Sequence, residues 1–448
     1  MNPKPPIPRS GKSGWLAHRA TRLKSLAVVG AVSLGFAAAA FAAVPASADP
    51  ANNYIAVGSD TTQDVMNGWS ALVGNGTVAS YNAVNPVSAL AHEIITPARV
   101  TAGSPPWSNC SFTRPNGSGE GFKAMDFAWN QSSTLAQLAV PPGSQCISFS
   151  RSSSGPGITS SGPGSLDPSG NLIYIPFALD AVATATGPTS AGASTTINCV
   201  STTTGCTNGK ITFTPSATTI TTADSATLQN LKDLFAHCGT AAAPNDFVSI
   251  GGINYYPNGD SPGGAGNQNI VLYVPQSGSG TLNFWISTLT IPSPLPTCDH
   301  QSIQNGPGIG TPVEEHDGSA YASDPAGFGP FSIAQWIAQS KGFNDRRHDA
   351  VLHMVGGVAP IVNNKLNTAF PITREVFNVV NYDQVVQTND GNFDPVLSGL
   401  LASGGSSLCG STFTINQYGF AGLSASTPDL CGSTANTLRV QETNNGPS

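Results

Sequence analysis

The chain has 448 residues, 49 of them glycine and 35 proline, and only 10% carry charge. That mixture favours turns, strands and short helices and excludes heptad arrays, while a 39% apolar share supports a sizeable core and rules out disorder throughout. The net charge of −7 hides an asymmetry: six bases and no acid precede residue 49, so the remainder sets 12 bases against 25 acids and lacks the basic footprint that nucleic acid or an anionic membrane requires.

In chain order, the basic start leads into the apolar run Ser25–Val44, then Pro45 and the small triplet Ala46-Ser47-Ala48 before Asp49. This is the order of a cleaved secretory signal, with residues 1–48 removed. No cysteine follows closely and the tail NNGPS offers no anchor, so the expectation is a secreted chain without a lipid anchor, free or associated with the cell wall. All eight cysteines (Cys110, Cys146, Cys199, Cys206, Cys238, Cys298, Cys409, Cys431) lie beyond the signal. Oxidising surroundings and an even count predict disulfides, with sequence neighbours favoured as partners.

The stretch NYIAVGSD alternates like a strand and opens into TTQDVMNGWSALVG, where Val65, Trp69, Leu72 and Val73 follow helical spacing. RPNGSGEG leads into a second helix, and CISFSRSSSGPG reads as a strand emptying into a hydroxyl-rich loop. NLIYIPFALDAVATAT reads as a long buried strand pair or a crossover between lobes, and Leu228, Leu231, Leu234 and Phe235 share one helical face. NIVLYVP, QSGSG and TLNFWISTL repeat the strand, loop and helix order. Polar stretches within residues 184–210 and 254–268, and the tail after Gln387, read as surface loops or small β excursions. Strands alternating with helices predict an α/β protein.

Four loops carry the chemistry: GSDTTQ (58–63), NGSGEG (116–121), SRSSSG (150–155) and SGSGT (277–281). A helix N-terminus presents unpaired N–H groups, and glycine lets a ligand approach them closely. Several such ends meeting would form a neutral cage for a tetrahedral oxyanion. Ser59, Thr61, Ser118, Ser152, Ser153, Ser279 and Thr281 would add hydroxyl donors, and Arg151 the one full positive charge.

On YIAVGSDTTQ, RPNGSGEG, CISFSRSSS, YIPFALDAVA, LQNLKDLFAHCG, QSGSGTLNFW and FPITREVFNVV, in that order, the chain resembles the solute-binding proteins of phosphate ABC transporters, of the two-lobed type 2 periplasmic-binding-protein class. The resemblance covers most of residues 52 to about 380 and implies a ligand cleft between two lobes. It implies phosphate held by Ser59, Asp60, Thr61, Ser118, Arg151, Ser152, Ser153, Ser279, Gly280 and Thr281, with an ABC permease as partner and no cofactor. Lobe 1 would comprise residues 49–175 and 359–448, lobe 2 residues 176–358, with hinges near Ile175 and Val358. Two departures from the family's pattern stand out. No arginine precedes the Gly-Ser-Gly-Thr run, which leaves the charge to Arg151, and Ser153 stands where an aspartate usually accepts the proton of hydrogen phosphate, which leaves Asp60 as the substitute acceptor.

Neither NGSGEG nor QSGSGT matches the G-x-S-x-G elbow of serine hydrolases. His316 in EEHDG and the pair His348 and His353 read as exposed loop residues rather than metal ligands, because no HExxH helix is present. DGNFD at Asp390–Asp394 imitates a calcium loop, but Pro395 and Leu401 stand where the glycine and closing glutamate belong. The expectation is therefore a monomeric binding protein and not an enzyme, with no metal. The alternatives are an extracytoplasmic phosphatase-like enzyme, or a cell-surface adhesion or structural protein that kept the fold.

Overall fold

The computed structural model describes residues 54–88, 90–97, 110–129, 138–157, 165–187, 195–198, 210–213, 226–236, 247–250, 253–257, 267–324, 326–348, 350–387 and 391–441. The expected signal segment with its cleavage point, and Cys199, Cys206 and Cys238, lie outside them.

One mixed sheet organises the molecule. Its main strands are β1 (Tyr54–Gly58), β2 (Val78–Ser80), β3 (Phe149–Ser152), β4 (Leu172–Thr186), β5 (Val271–Tyr273), β6 (Asp299–His300), β7 (Gly327–Ser332) and β8 (Thr373–Asn381), in the spatial order β6-β5-β7-β4-β8-β3-β1-β2. Both flanks are parallel, whereas the central strands β7, β4, β8 and β3 pair antiparallel. The helices that position the site are α1 (Gln63–Val73), α2 (Ser118–Trp129), α3 (Leu228–Ala236), α4 (Gly280–Leu289) and α5 (Ile333–Ser340). The α/β class and the two-lobed arrangement are those expected.

The two lobes are two hydrophobic cores strung on one strand pair. Core 1 contains Ile55, Val65, Trp69, Phe149, Ile173 and Ile175, and core 2 contains Val182, Ala185, Leu231, Phe235, Tyr273 and Trp285. Strand β4 changes core between Ala178 and Leu179, and the chain changes core again as it enters β8, between Ile372 and Val376. The run Leu172–Ala185 is buried throughout, which explains why it is apolar apart from Asp180 and Thr184: a strand covered on both faces has no polar side to show. Pro176, which has no N–H to give a ladder, pairs with Phe377 beside the register shift at Val376/Phe377.

Several local readings shift. In α1 the buried face is Val65, Met66 and Trp69, while Leu72 is 54% exposed, so the helix is turned toward Met66. The polar stretches do form small β units, a hairpin of Thr195–Asn198 with Lys210–Phe213 and a three-stranded sheet over Val248–Ile250, Ile253–Tyr256 and Asn267–Asn269. The tail after Gln387 does not. It is helical over Pro395–Leu401 and Thr412–Gln417, buries Leu397, Leu401, Leu408 and Ile415 in core 1, and adds strand Arg439–Val440 to β4. The failed calcium loop is its start signal: Asp394 Oδ1 accepts from the amides of Val396 and Leu397, with Pro395 in the first helical turn. Cys110–Cys146 and Cys409–Cys431 are disulfides between sequence neighbours, and Cys298 is also disulfide-bonded.

Candidate functional site: the cleft between the lobes

The four loops do meet. Lobe 1 contributes Ser59, Asp60 and Thr61 between β1 and α1, Gly117 and Ser118 at the start of α2, and Ser153 just beyond β3; lobe 2 contributes Gly278, Ser279, Gly280 and Thr281 at the start of α4. Glycine is required where the lobes touch. Gly117 has φ +88°, and a Cβ there would lie 2.7 Å from the Gly278 carbonyl oxygen; a Cβ on Gly280 would lie 2.4 Å from Ser118 Oγ and 2.7 Å from Ser153 Oγ. The approach is sealed by the Gly119 amide, which donates to the Gly278 carbonyl at 2.9 Å.

Ser118, Ser153, Ser279 and Thr281 carry hydroxyls already engaged. Ser118 Oγ accepts from the Ser153 amide at 3.0 Å and lies 3.1 Å from Ser153 Oγ. Ser279 caps α4, accepting from the amides of Thr281 and Leu282, so those N–H groups are spent on the cap. The Thr61 and Thr281 hydroxyls are 3.4 Å apart across the cleft, and Gln335 Nε2 on α5 donates to the Thr61 carbonyl.

Between Thr61 and Ser279 sits a group that the loops did not announce, the Glu315 carboxylate. Thr61 Oγ1 donates to its Oε1, and Ser279 Oγ donates to its Oε2 at 3.1 Å. Glu315 belongs to the segment Glu314-Glu315-His316, which lobe 2 holds in place: the Gln276 amide donates to the Val313 carbonyl, the Ser332 amide to Glu315, and Gln339 Nε2 to His316. His316, read as an exposed loop residue, is instead buried, with Nδ1 3.2 Å from Asp60 Oδ2.

Two site assignments are corrected. Arg151 cannot be the cation that faces an anion, because all five of its N–H hydrogens are committed within lobe 1. They go to the carbonyls of Ala56, Gly58, Ser59 and Tyr81 and to Ser80 Oγ. Arg151 is fully buried, and that burial pulls its pKa down to about 9. Ser152 Oγ donates to the Ser154 carbonyl, closing its own turn. Ser59 is fully buried and its hydroxyl has no hydrogen-bond partner among the described residues.

Arg374 on β8 supplies the cation at the cleft. Its Nε and Nη2 donate to Asp180 Oδ2 at 3.1 and 2.8 Å, and its Nη1 donates to Thr281 Oγ1 at 2.7 Å. Asp180 and Arg374 are cross-strand partners where β4 and β8 run between the cores, and Asp180 also accepts from Ser332 Oγ and the Ala334 amide. The sequence clue is a charge set in each of two apolar segments, Asp180 in one and Arg374, beside Glu375, in the other.

Electrostatically the cleft is acidic. Burial raises the Asp60 carboxyl, but the His316 ring beside it, the nearby Glu314 carboxyl and the Thr61 amide together hold it well below the ordinary carboxylate value. Burial, and then the charge of Asp60, push Glu314 and Glu315 upward.

No described helix is long and apolar enough to cross a membrane. No protein-family model matches the chain, and no curated protein sequence matches it. Solved structures similar to it include an ABC-type phosphate transport receptor from Vibrio cholerae, at 9% identity over 82% of this chain and 99% of that one with a TM-score of 0.40. PstS from Borrelia burgdorferi is similar at 12% identity over 84% of this chain and 100% of that one, with a TM-score of 0.34.

Proposed function

We propose that the chain is an extracytoplasmic solute-binding protein whose lobes close over a small inorganic oxyanion, phosphate foremost, for delivery to an ABC permease. The observation that carries this reading is the convergence of four glycine and hydroxyl loops from both lobes on one buried point, where Thr61 and Ser279 already hold a carboxylate. A carboxylate and a phosphate oxygen ask for the same donors. Binding would exchange the Glu315 oxygens for ligand oxygens, with Ser59 Oγ as a further donor and Asp60 or Glu315 accepting the proton of hydrogen phosphate. The lobes would pivot where β4 and β8 pass between cores, since contacts from both sides favour the shut state.

The test is thermal unfolding with phosphate, sulfate and arsenate after the protein has been unfolded and refolded to strip bound anion. A ligand at a hundred times Kd adds ~2.7 kcal/mol of stability. A melting point that rises with phosphate supports the reading; one unmoved by millimolar anion overturns it. That second result favours a protein whose cleft its own Glu315 closes permanently, the surface-structural alternative.

A further inference from the structure

Asp60, Glu314, Glu315 and His316 each bring one ligand-type atom to within 4.8 Å of the others. Asp60, Glu315 and His316 are 1%, 0% and 5% exposed. Like charges so placed repel strongly out of water. The nearby guanidinium of Arg374 is already paired with Asp180, and the basic side chain within the cluster is the imidazole of His316.

A second observation points to a missing partner. Asp60 Oδ2, Glu314 Oε2 and His316 Nδ1 are buried atoms with no hydrogen-bond partner among the described residues, although Oδ2 and Nδ1 lie only 3.2 Å apart. A buried polar atom left unpaired costs about 1–3 kcal/mol. Three in one place call for an explanation, and a bound ion supplies one.

We propose that these four side chains bind a divalent first-row transition cation of the Mn2+ type. The donor set, three carboxylates and one imidazole, suits Mn2+, Fe2+ or Zn2+, whereas Ca2+ takes six to eight oxygens. Asp60 comes from lobe 1 and the other three from lobe 2, so the cation ties the lobes together and is held by the closed form. In its role the inference rests on the solute-binding reading: a cation at this point gives an oxyanion the positive charge that the acids of the cleft otherwise deny it.

The experiment is an electron paramagnetic resonance titration of the full chain, stripped with EDTA, with Mn2+. Expected are loss of the six-line aqueous signal up to one Mn2+ per chain, 14N modulation from a coordinated imidazole in the echo signal, and no displacement by a tenfold excess of Ca2+. Glu314→Gln and His316→Asn should each weaken binding about tenfold or more. An unchanged aqueous signal, bound Mn2+ without 14N modulation, displacement by Ca2+, or wild-type affinity in both folded variants overturns the proposal. The 14N measurement uses the wild-type chain and stands even if a variant does not fold. Melting curves with Mn2+ alone, phosphate alone and the two together separate the two readings. Stabilisation by Mn2+ with no further rise when phosphate is added sustains the cation site and sinks the phosphate reading; stabilisation by phosphate that Mn2+ neither adds to nor is needed for does the reverse.

Discussion

The cleft has two sides that were built differently. Around Gly117, Gly280, Ser118 and Ser153 every close approach is filled, glycine against backbone and hydroxyl against hydroxyl. Around Asp60, Glu314 and His316 buried polar atoms have no hydrogen-bond partner among the described residues, and Glu315 is satisfied by hydroxyls. The first side is made for closing and leaves little to a ligand, because its donors are spent holding the lobes together. The second keeps its unpaired atoms at a cost in stability, as sites that exchange one partner for another do.

The largest effect that tests this division is expected at Arg151, which braces lobe 1 behind the tight side. Arg151→Ala would remove the guanidinium bonds to four carbonyls and a hydroxyl, although the Ala56 carbonyl keeps the Tyr81 amide, and should lower unfolding free energy by at least ~3 kcal/mol in urea. A variant as stable as wild type that loses only anion affinity would return Arg151 to the ligand set.

Next in size is the contact itself. Gly117→Ala must accommodate a Cβ 2.7 Å from the Gly278 carbonyl at φ +88°, and should cost about 1–3 kcal/mol in strain or force the lobes apart. Small-angle scattering would register opening as a larger radius of gyration; an unchanged profile together with unchanged stability would mean that the lobes do not meet there.

Asp299 in lobe 2 provides the control away from the cleft. Both its carboxylate oxygens are buried without a hydrogen-bond partner among the described residues, and burial pushes its pKa up to about 8. A carboxyl raised from 3.8 to about 8 contributes stability that is full below pH 3.8 and lost as pH rises through about 8. Asp299→Asn should therefore raise the melting point at pH 7 and flatten its decline between pH 4 and 8, with a gain of about 1–2 kcal/mol. No gain at pH 7 would mean that Asp299 has a partner.

The smallest expected effect is on affinity. Glu315→Gln removes the charge that shares Thr61 and Ser279 with an incoming anion, and calorimetry in cation-free buffer should show phosphate binding about tenfold tighter, ~1.4 kcal/mol. Unaltered affinity would place the anion away from these hydroxyls.

Much of this was legible along the chain where the cause is local. The four loops declare themselves because glycine and hydroxyl residues between a strand and a helix answer short-range demands, a turn to be made and a helix end to be capped, as Ser279 does for α4. The all-buried run Leu172–Ala185 shows its two-sided burial as a sequence without polar alternation, broken only by Asp180 and Thr184. The tail was misread although its helix start, Asp394 before Pro395, is equally local, because its glycine, asparagine and threonine content reads as surface loop.

Composition and local pattern thus determined an α/β chain with loops suited to oxyanion chemistry, since turns, caps and strand burial depend on neighbours a few residues away. Only the tertiary structure decided which charges face the cleft. Arg151 sits in a ligand-like loop, yet its donors point at carbonyls that β1 and the end of β2 bring alongside. Glu315 and Thr61 are 254 residues apart, and Arg374 meets Thr281 across 93. The direction of a guanidinium and the company of a carboxylate are set by packing between distant segments, which residue order alone does not encode in any window short enough to read.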